Sequence, residues 1–456
     1  MPRIREFPFP NPLPKGGEAY GKAAFLLAVL WFPSGTLAAP DYIEAEQSAA
    51  GDVKDNQDSI DHAFKRPHFY RPFKRLRESL VKGELNLKLR NYYFDRNNEH
   101  LPNSEAWAQG GALDYDSGWW KNRVRIGGTL YTSQKLYGPS DKDGTFLLKT
   151  GQKSFSVLGE AFLEAKLIGD VVLKAYRQEL DLPYMNRNDN RMIPNTFEAY
   201  TIYSTTSDRF VFGVGQVEQI KLRASDKFIS MTGAAGITSK DRGVSVGGFR
   251  YTFENGANIG IVNQYGHDFM NIFYTEANAR SRTLLGIGSQ LSAQYTRQSS
   301  VGDELGGDFD TWSYGLKTAA SYGGVVLSLA YTSTSGDADI ISPWGGKPSY
   351  LSIMIKDFDR ADEDAWLVGM SSDFSRFNIK GLSAFVNYAV GDTPDNGRNA
   401  SPDQKELDFT LDYRPQGSTL KGLSMRLRHA NVTQEGDGAN NVRDLRAIIN
   451  YTIPLI

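Results

Sequence analysis

From Glu84 to the end of the chain, apolar and polar residues alternate. Leu85, Leu87 and Leu89 are interleaved with Asn86, Lys88 and Arg90. Val124, Ile126, Gly128 and Leu130 are interleaved with Arg125, Gly127, Thr129 and Tyr131. Leu407, Phe409, Leu411 and Tyr413 repeat the pattern, as do Leu445, Ala447, Ile449, Tyr451 and Ile453. A period of two puts alternate side chains on opposite faces of a strand, so this stretch predicts strand after strand. Asn255-Gly256 and Gly323-Gly324 separate such runs and suit two-residue hairpin turns with positive φ. Lys380-Gly381 and Pro415-Gln416-Gly417 are similar short breaks, whereas 333–364 and 391–405 are long polar stretches. Short turns at one end and long loops at the other predict an all-β, transmembrane antiparallel β-barrel. Tyr92, Tyr93, Phe94, Trp119, Trp120, Tyr251, Tyr265, Trp312, Tyr322, Tyr331, Trp366 and Tyr388 fall near expected strand ends, where a barrel carries its aromatic girdles. About 20 residues per strand and connection gives on the order of 16 to 20 strands, enough for an aqueous lumen.

The first 80 residues lack this alternation. Ala23 to Phe32 is an apolar run, too short to span a bilayer, which needs roughly 20 residues. Arg3, Arg5, Lys15 and Lys22 precede it, and the small residues Thr36 and Ala38 follow. That order predicts a signal peptide over 1–38 with cleavage after Ala38. Residues 39–80 read as a periplasmic lead-in and 81–456 as the barrel. The lead-in carries Lys65, Arg66, Arg71, Lys74, Arg75 and Arg77 among His68, Phe69, Tyr70 and Phe73. This cluster suits either an anionic surface or a solvated linker. The expected destination is the outer membrane of a Gram-negative bacterium.

Composition narrows the function. There are 51 Lys+Arg against 53 Asp+Glu, so no basic excess points to nucleic acid. The absence of cysteine excludes thiolate metal sites, Fe–S clusters and cysteine nucleophiles, and 5 histidines leave little for a metal centre. No cofactor is expected. The 45 glycines, 23 tyrosines and 25 phenylalanines fit a barrel wall with crowded strands and interfacial aromatics.

Carrying the alternation through the charged residues places Lys88, Arg90, Arg123, Arg125, Arg250, Lys317, Arg426, Arg428 and Arg446 opposite the aliphatic face. An Arg facing mid-bilayer lipid costs roughly 2–4 kcal/mol, so these residues belong in the lumen. A row of guanidinium groups there replaces the hydration of a passing carboxylate with charge-assisted hydrogen bonds. No single stop should be deep, because the solute must also leave.

Several segments resemble the OprD-type substrate-specific porins. They are Leu89-Arg90-Asn91-Tyr92-Tyr93-Phe94-Asp95-Arg96, Glu105-Ala106-Trp107-Ala108-Gln109-Gly110, Leu113-Asp114-Tyr115 and Asn188 through Glu198. Ser342 through Pro348, Lys421 through Arg428 and Leu445 through Tyr451 complete the set, in order along the chain. The resemblance implies an 18-stranded channel, a monomer or loose trimer, narrowed by inward-folded loops. It implies passage of small carboxylate-bearing solutes such as amino acids, short peptides or aromatic acids. By this likeness Arg90, Arg125, Arg191, Arg426, Arg428 and Arg446 are rungs of a basic ladder. Glu179, Asp181 and Asp189 are candidates for opposing negative charge at the constriction. Expected partners besides solute are outer-membrane lipid, lipopolysaccharide and the barrel-assembly machinery. Three features depart from the family: the segment from Ser154 to Tyr200 is longer and less regular, the chain ends in Ile456 rather than Phe, and the basic lead-in before residue 80 is longer.

Two other readings compete. Gly243-Val244-Ser245-Val246-Gly247 matches the G-x-S-x-G elbow of hydrolases, but that motif needs a strand, a sharp turn and a helix. The residues after it, Gly248 to Phe253, continue as a strand pattern. A non-selective porin or an adhesin would share the wall without needing the ordered cations. A plugged, energy-coupled transporter is disfavoured, since no plug-sized domain precedes the strands.

Overall fold

The computed structural model describes residues 83–455, apart from 205–208, 283–285 and 417–419. The segments expected as signal peptide and lead-in therefore lie outside the described residues. The strands are β1 (Glu84–Asn98), β2 (Ser104–Asp116), β3 (Val124–Tyr137), β4 (Phe155–Lys166), β5 (Val171–Gln178), β6 (Asp181–Leu182), β7 (Met185–Asn186), β8 (Thr196–Ser204), β9 (Phe210–Lys221) and β10 (Phe228–Ser230). They continue as β11 (Val244–Thr252), β12 (Asn258–Gly266), β13 (Met270–Arg282), β14 (Gly288–Ser300), β15 (Asp310–Tyr322), β16 (Val325–Thr334), β17 (Asp364–Asp373), β18 (Leu382–Asp392), β19 (Asp403–Tyr413), β20 (Leu423–Glu435) and β21 (Val442–Pro454).

All but β6, β7 and β10 form an 18-stranded antiparallel barrel. It closes where Asn86–Asn98 of β1 run antiparallel to Val442–Pro454 of β21. Closure pairs every strand on both sides, which is what lets a sheet stand in lipid without exposing unpaired N–H and C=O groups. Among the described residues no helix is long and apolar enough to cross a membrane.

The alternation sorts the two faces. Leu113, Ile126, Leu130, Leu291, Leu316, Leu329, Val368, Leu407 and Leu427 are exposed on the outer wall, as are Trp312, Tyr322, Trp366 and Tyr388. Tyr92 and Phe94 differ from expectation: both turn inward and are 1% exposed. They share a face with Lys88 and Arg90, and loops folding into the lumen cover them.

The hairpin expectations divide. Gly323 and Gly324 have φ of 60° and 83°, and Tyr322 pairs with Val325 across them, giving the two-residue primed turn. At Asn255-Gly256 only Gly256 has positive φ, 80°, and Phe253 N donates to Ala257 O at 2.7 Å. The loop there has three residues, with glycine in the left-handed position. Lys380-Gly381 closes a longer connection that contains a short 3₁₀ turn, Phe374–Phe377.

Long connections gather at the end of the barrel opposite these turns, the extracellular side by the usual rule for such barrels. Two of them turn inward: loop A, 179–195 between β5 and β8, and loop B, 335–363 between β16 and β17. The irregular stretch from Ser154 to Tyr200 thus contains two ordinary strands and loop A. Three buried apolar clusters hold these loops. One joins Tyr184, Met185 and Trp344 to Phe269, Met270 and wall residues of β8, β9 and β11–β13. A second packs Met192 and Ile193 against Tyr92, Phe94, Tyr131 and Leu147. The third sets Tyr350, Leu351, Ile353 and Phe358 on Ala330, Ala365, Leu367 and Ala389. The first cluster fills the lumen beside β8–β13.

Candidate substrate path through the barrel

Loops A and B are joined to each other. Met185 forms a parallel bridge with Trp344, and the Asn186 amide bonds both ways to Gly346, Nδ2 to its O at 2.9 Å and Oδ1 from its N at 2.8 Å. The Trp344 indole N–H donates to Met231 O at 2.9 Å. A Cβ on Gly345 would come within 2.6 Å of Asn186 N, so only glycine fits this crossing.

Each loop is also tied to other strands of the wall. Arg90 of β1 makes a two-pronged pair with Asp189 of loop A, at 2.6 and 3.1 Å, and donates to Arg191 O. Its Nε is held by Asn450 Oδ1 at 2.8 Å. Three consecutive amides of loop B point at two wall carboxylates. Ile355 N and Lys356 N each donate to Glu406 at 2.7 Å, and Met354 N donates to Asp408 Oδ2 at 3.1 Å. Arg446 donates to Met354 O at 3.0 Å. Within loop B, Lys347 bonds Asp359 Oδ1 at 2.9 Å and Ile340 O at 2.7 Å.

The basic candidates fall into four groups. Lys88, Arg90, Arg125 and Arg426 stand on the inner face with surface open to the lumen. Each holds a carboxylate: Lys88 with Asp114 at 3.0 Å, Arg90 with Asp189, Arg125 with Glu164 at 2.5 Å, and Arg426 with Asp412 at 2.7 and 2.9 Å. Lys88 is the most open, at 51% of its side chain. Arg428 and Arg446 also face inward and are register partners across β20 and β21, but they are only 4% and 2% exposed. Arg446 pairs with Asp444 at 2.7 Å, and Arg428 reaches Thr410 Oγ1 at 3.2 Å. The third group lies off the inner wall. Arg191 is buried in loop A, its Nε on Thr145 O at 2.9 Å and its guanidinium 5.1 Å from the Phe94 ring. Arg123 is not on β3 beside Arg125. It sits in the preceding turn, where its N–H bonds Trp120 O and its O accepts from Lys166 N. The alternation does not reach Arg123, because β3 begins at Val124. Arg250 and Lys317 lie on inner-face positions of β11 and β15, across the lumen from this wall.

The row of cations is therefore a row of ion pairs, not of bare positive groups. The inner-face acids Asp114, Glu164 and Asp412 of neighbouring strands were missed by reading one strand at a time, as was Asp444, two residues before Arg446 on β21. Arg96, which pairs with Asp444 at 2.8 Å, and Arg177, which pairs with Glu198 at 2.9 Å, were missed as well. The signal was present in the sequence, since these residues occupy the same alternate positions as the arginines. Phe94 gathers Arg96, Arg191 and Arg446 around its ring at 5.1–5.4 Å, a cation–π cluster beneath loop A.

Of the acidic candidates, Glu179 and Asp189 line loop A and Asp181 begins β6. Arg187 lies 3.8 Å from Glu179 and 3.9 Å from Asp181. Asp181 is buried, so Glu179 and Asp189 are the two that keep open surface.

The G-x-S-x-G match sits within β11, which runs unbroken to Thr252. Ser245 Oγ lies 2.9 Å from His267 Nε2 and 2.7 Å from Gln216 Oε1. This trio faces outward, and the backbone of Ser245 is paired with β9 and β12 on both sides. The sharp turn and helix start that give a nucleophile elbow its oxyanion hole are absent at this position.

Comparison with known proteins gives the same picture. The family model described as outer membrane porin, OprD family, matches residues 80–455. Porin D of Pseudomonas aeruginosa is 24% identical over 414 residues, covering 82% of this chain and 91% of that protein. Among solved structures, OccK9 (OpdG) of P. aeruginosa superposes with a TM-score of 0.75 at 24% identity, over 83% of this chain and 100% of that one. OpdK of the same organism, solved with vanillate, superposes with a TM-score of 0.75 at 22% identity, over 82% and 99%. The closed 18-stranded wall, the two inward loops and a family match across the whole barrel agree, and this chain belongs to the OprD family of outer membrane porins, channels of the Gram-negative outer membrane rather than enzymes.

Proposed function

We propose that the channel passes small carboxylate-bearing solutes, such as amino acids, short peptides or aromatic acids, by exchange along the ion-paired inner wall. The supporting observation is the set of lumen-open cations, Lys88, Arg90 and Arg426, each already holding a carboxylate of the wall or of loop A. A solute carboxylate entering this wall displaces one protein carboxylate and is displaced in turn. The exchange is nearly even in free energy, so each stop is shallow and transit is fast. Arg428 and Arg446 act from beneath. Two like charges directly opposite in a ladder are unfavourable; here Asp444 pairs with Arg446, and Arg446 holds loop B. The outer apolar wall meets lipid and lipopolysaccharide, and the assembly machinery inserts the barrel. A relative of the same fold solved with vanillate, itself a carboxylate, fits this substrate class.

The test is liposome swelling with size-matched pairs of carboxylate and primary amide. The carboxylate should enter faster in the wild type, and Lys88→Gln with Arg426→Gln should remove most of the difference. Equal rates for acid and amide would mean a non-selective pore.

A further inference from the structure

Between the lumen-open cations and loop A runs a second chain of polar groups. Thr129 Oγ1 lies 2.9 Å from Asp114 Oδ1 and 2.9 Å from Glu160 Oε1. Tyr131 Oη lies 2.7 Å from Glu160 Oε1 and 3.1 Å from Glu179 Oε1. Four oxygen–oxygen contacts are thus served by two hydroxyls, and each hydroxyl has one proton to give. If all three carboxyl groups are ionised, two contacts set lone pair against lone pair. One added proton turns a third contact into a hydrogen bond.

We propose that this chain carries one exchangeable proton, and that its release adds a negative charge at the constriction and weakens the preference for anions. The inference rests on the reading of this constriction as the solute path. Its bearer is Glu179. Asp114 faces the Lys88 ammonium at 3.0 Å, and Glu160 is buried and lies within reach of both hydroxyls. Glu179 has only the long pairing with Arg187, 3.8 Å, and a protonated Glu179 can donate to Tyr131 Oη while Tyr131 donates to Glu160. The other charges that reach Glu179 are Asp189 and Arg187 of loop A, Lys88 of β1 and Lys221 of β9. Lys221 is committed to Pro194 O, which fixes it at the loop end rather than on the carboxyl. A third of the Glu179 side chain is open to the lumen, yet wall and loop surround it and the water it meets is confined. Burial first, with the Glu160 charge beside it, pushes the Glu179 carboxyl up to about 7. Below that pH the group is neutral, and above it the constriction carries one more negative charge.

A unit charge acting at about 7 Å through water changes a passing ion's local population about threefold, in opposite directions for anions and cations. Reversal potentials in a potassium chloride gradient should therefore show the full-length channel losing anion preference as pH rises from 5.5 to 8.5, with a midpoint near neutrality. Glu179→Gln should hold the low-pH preference across the range. Tyr131→Phe, which removes the bridging hydroxyl and leaves the carboxyl, should move the midpoint without abolishing the transition. Heat-modifiable migration in gels confirms that each variant is folded. A pH transition unchanged in Glu179→Gln overturns the inference. So does a flat wild-type profile, and if that flat pore still prefers carboxylates the proposed function stands without the switch. A pore with no preference at any pH overturns both.

Discussion

Removing the Glu406 carboxylate should release the tip of loop B while leaving the barrel intact. Glu406 is fully buried on the inner face of β19 and accepts from two consecutive amides, Ile355 and Lys356, both at 2.7 Å. Leaving a buried amide without its acceptor costs roughly 1–3 kcal/mol. Glu406→Ala leaves two, about 2–6 kcal/mol of local closure, and water in the lumen recovers part of it, so a figure of about 3 kcal/mol governs. At about 1.4 kcal/mol per factor of ten, local opening rises on the order of a hundredfold. Asp408 still holds Met354 N, and Arg446 still holds Met354 O, so the tip frays at 355–356 rather than leaving the wall. The strands of the barrel keep their ladders on both sides and should not respond. Amide hydrogen exchange in detergent or nanodiscs reads this directly. Ile355 and Lys356 should lose about two orders of magnitude of protection, strand amides none, and Glu406→Gln, which keeps one acceptor oxygen, should fall between. Single-channel recordings of Glu406→Ala should show added current noise. Unchanged exchange at 355–356, or a uniform loss across the barrel, refutes the clamp.

Three further outcomes follow from the packing. Arg90→Ala breaks the two-pronged pair with Asp189 and the bond to Arg191 O, so loop A should draw away from β1 and single-channel conductance should rise, with folding unchanged by heat-modifiability. Trp344→Ala empties the joint between the two loops, where the indole is 0% exposed; a core Trp→Ala change costs about 3–5 kcal/mol, and limited proteolysis should cut loops A and B long before the barrel opens. Replacing Gly323 and Gly324 together by alanine forces two residues with Cβ into φ of 60° and 83°, about 1–2 kcal/mol each, and should slow refolding into detergent without altering conductance.

The wall was legible in the sequence because a period of two is a local property. Leu427 outside and Arg428 inside follow from one strand read alone, and Gly323-Gly324 announces its turn by conformational need. What was not legible depends on register. Arg426 meets Asp412 only because β19 and β20 pair with those residues opposite, and nothing within either strand fixes that alignment. The loops were harder still. Arg191 was expected as a rung of the path, and it lies buried on Phe94 because the Tyr92–Phe94 segment turns under loop A. Arg123 lies one residue before its strand begins, in a turn that the alternation does not mark. Glu406 and Asp408 gave no signal as loop clamps, since their partners are backbone amides that only tertiary folding brings near.

If lumen-open cations take up a solute's carboxylate in exchange for those of the wall, as proposed, the exchange should be visible as single-channel current interruption by a small carboxylic acid and not by its primary amide. Brief blocks are expected with the carboxylate, none with the amide, and a block frequency about tenfold lower in Lys88→Gln with Arg426→Gln, the loss of about 1.4 kcal/mol of charge-assisted contact. Blocks of equal frequency for acid and amide, or an unchanged frequency in the double variant, would contradict it.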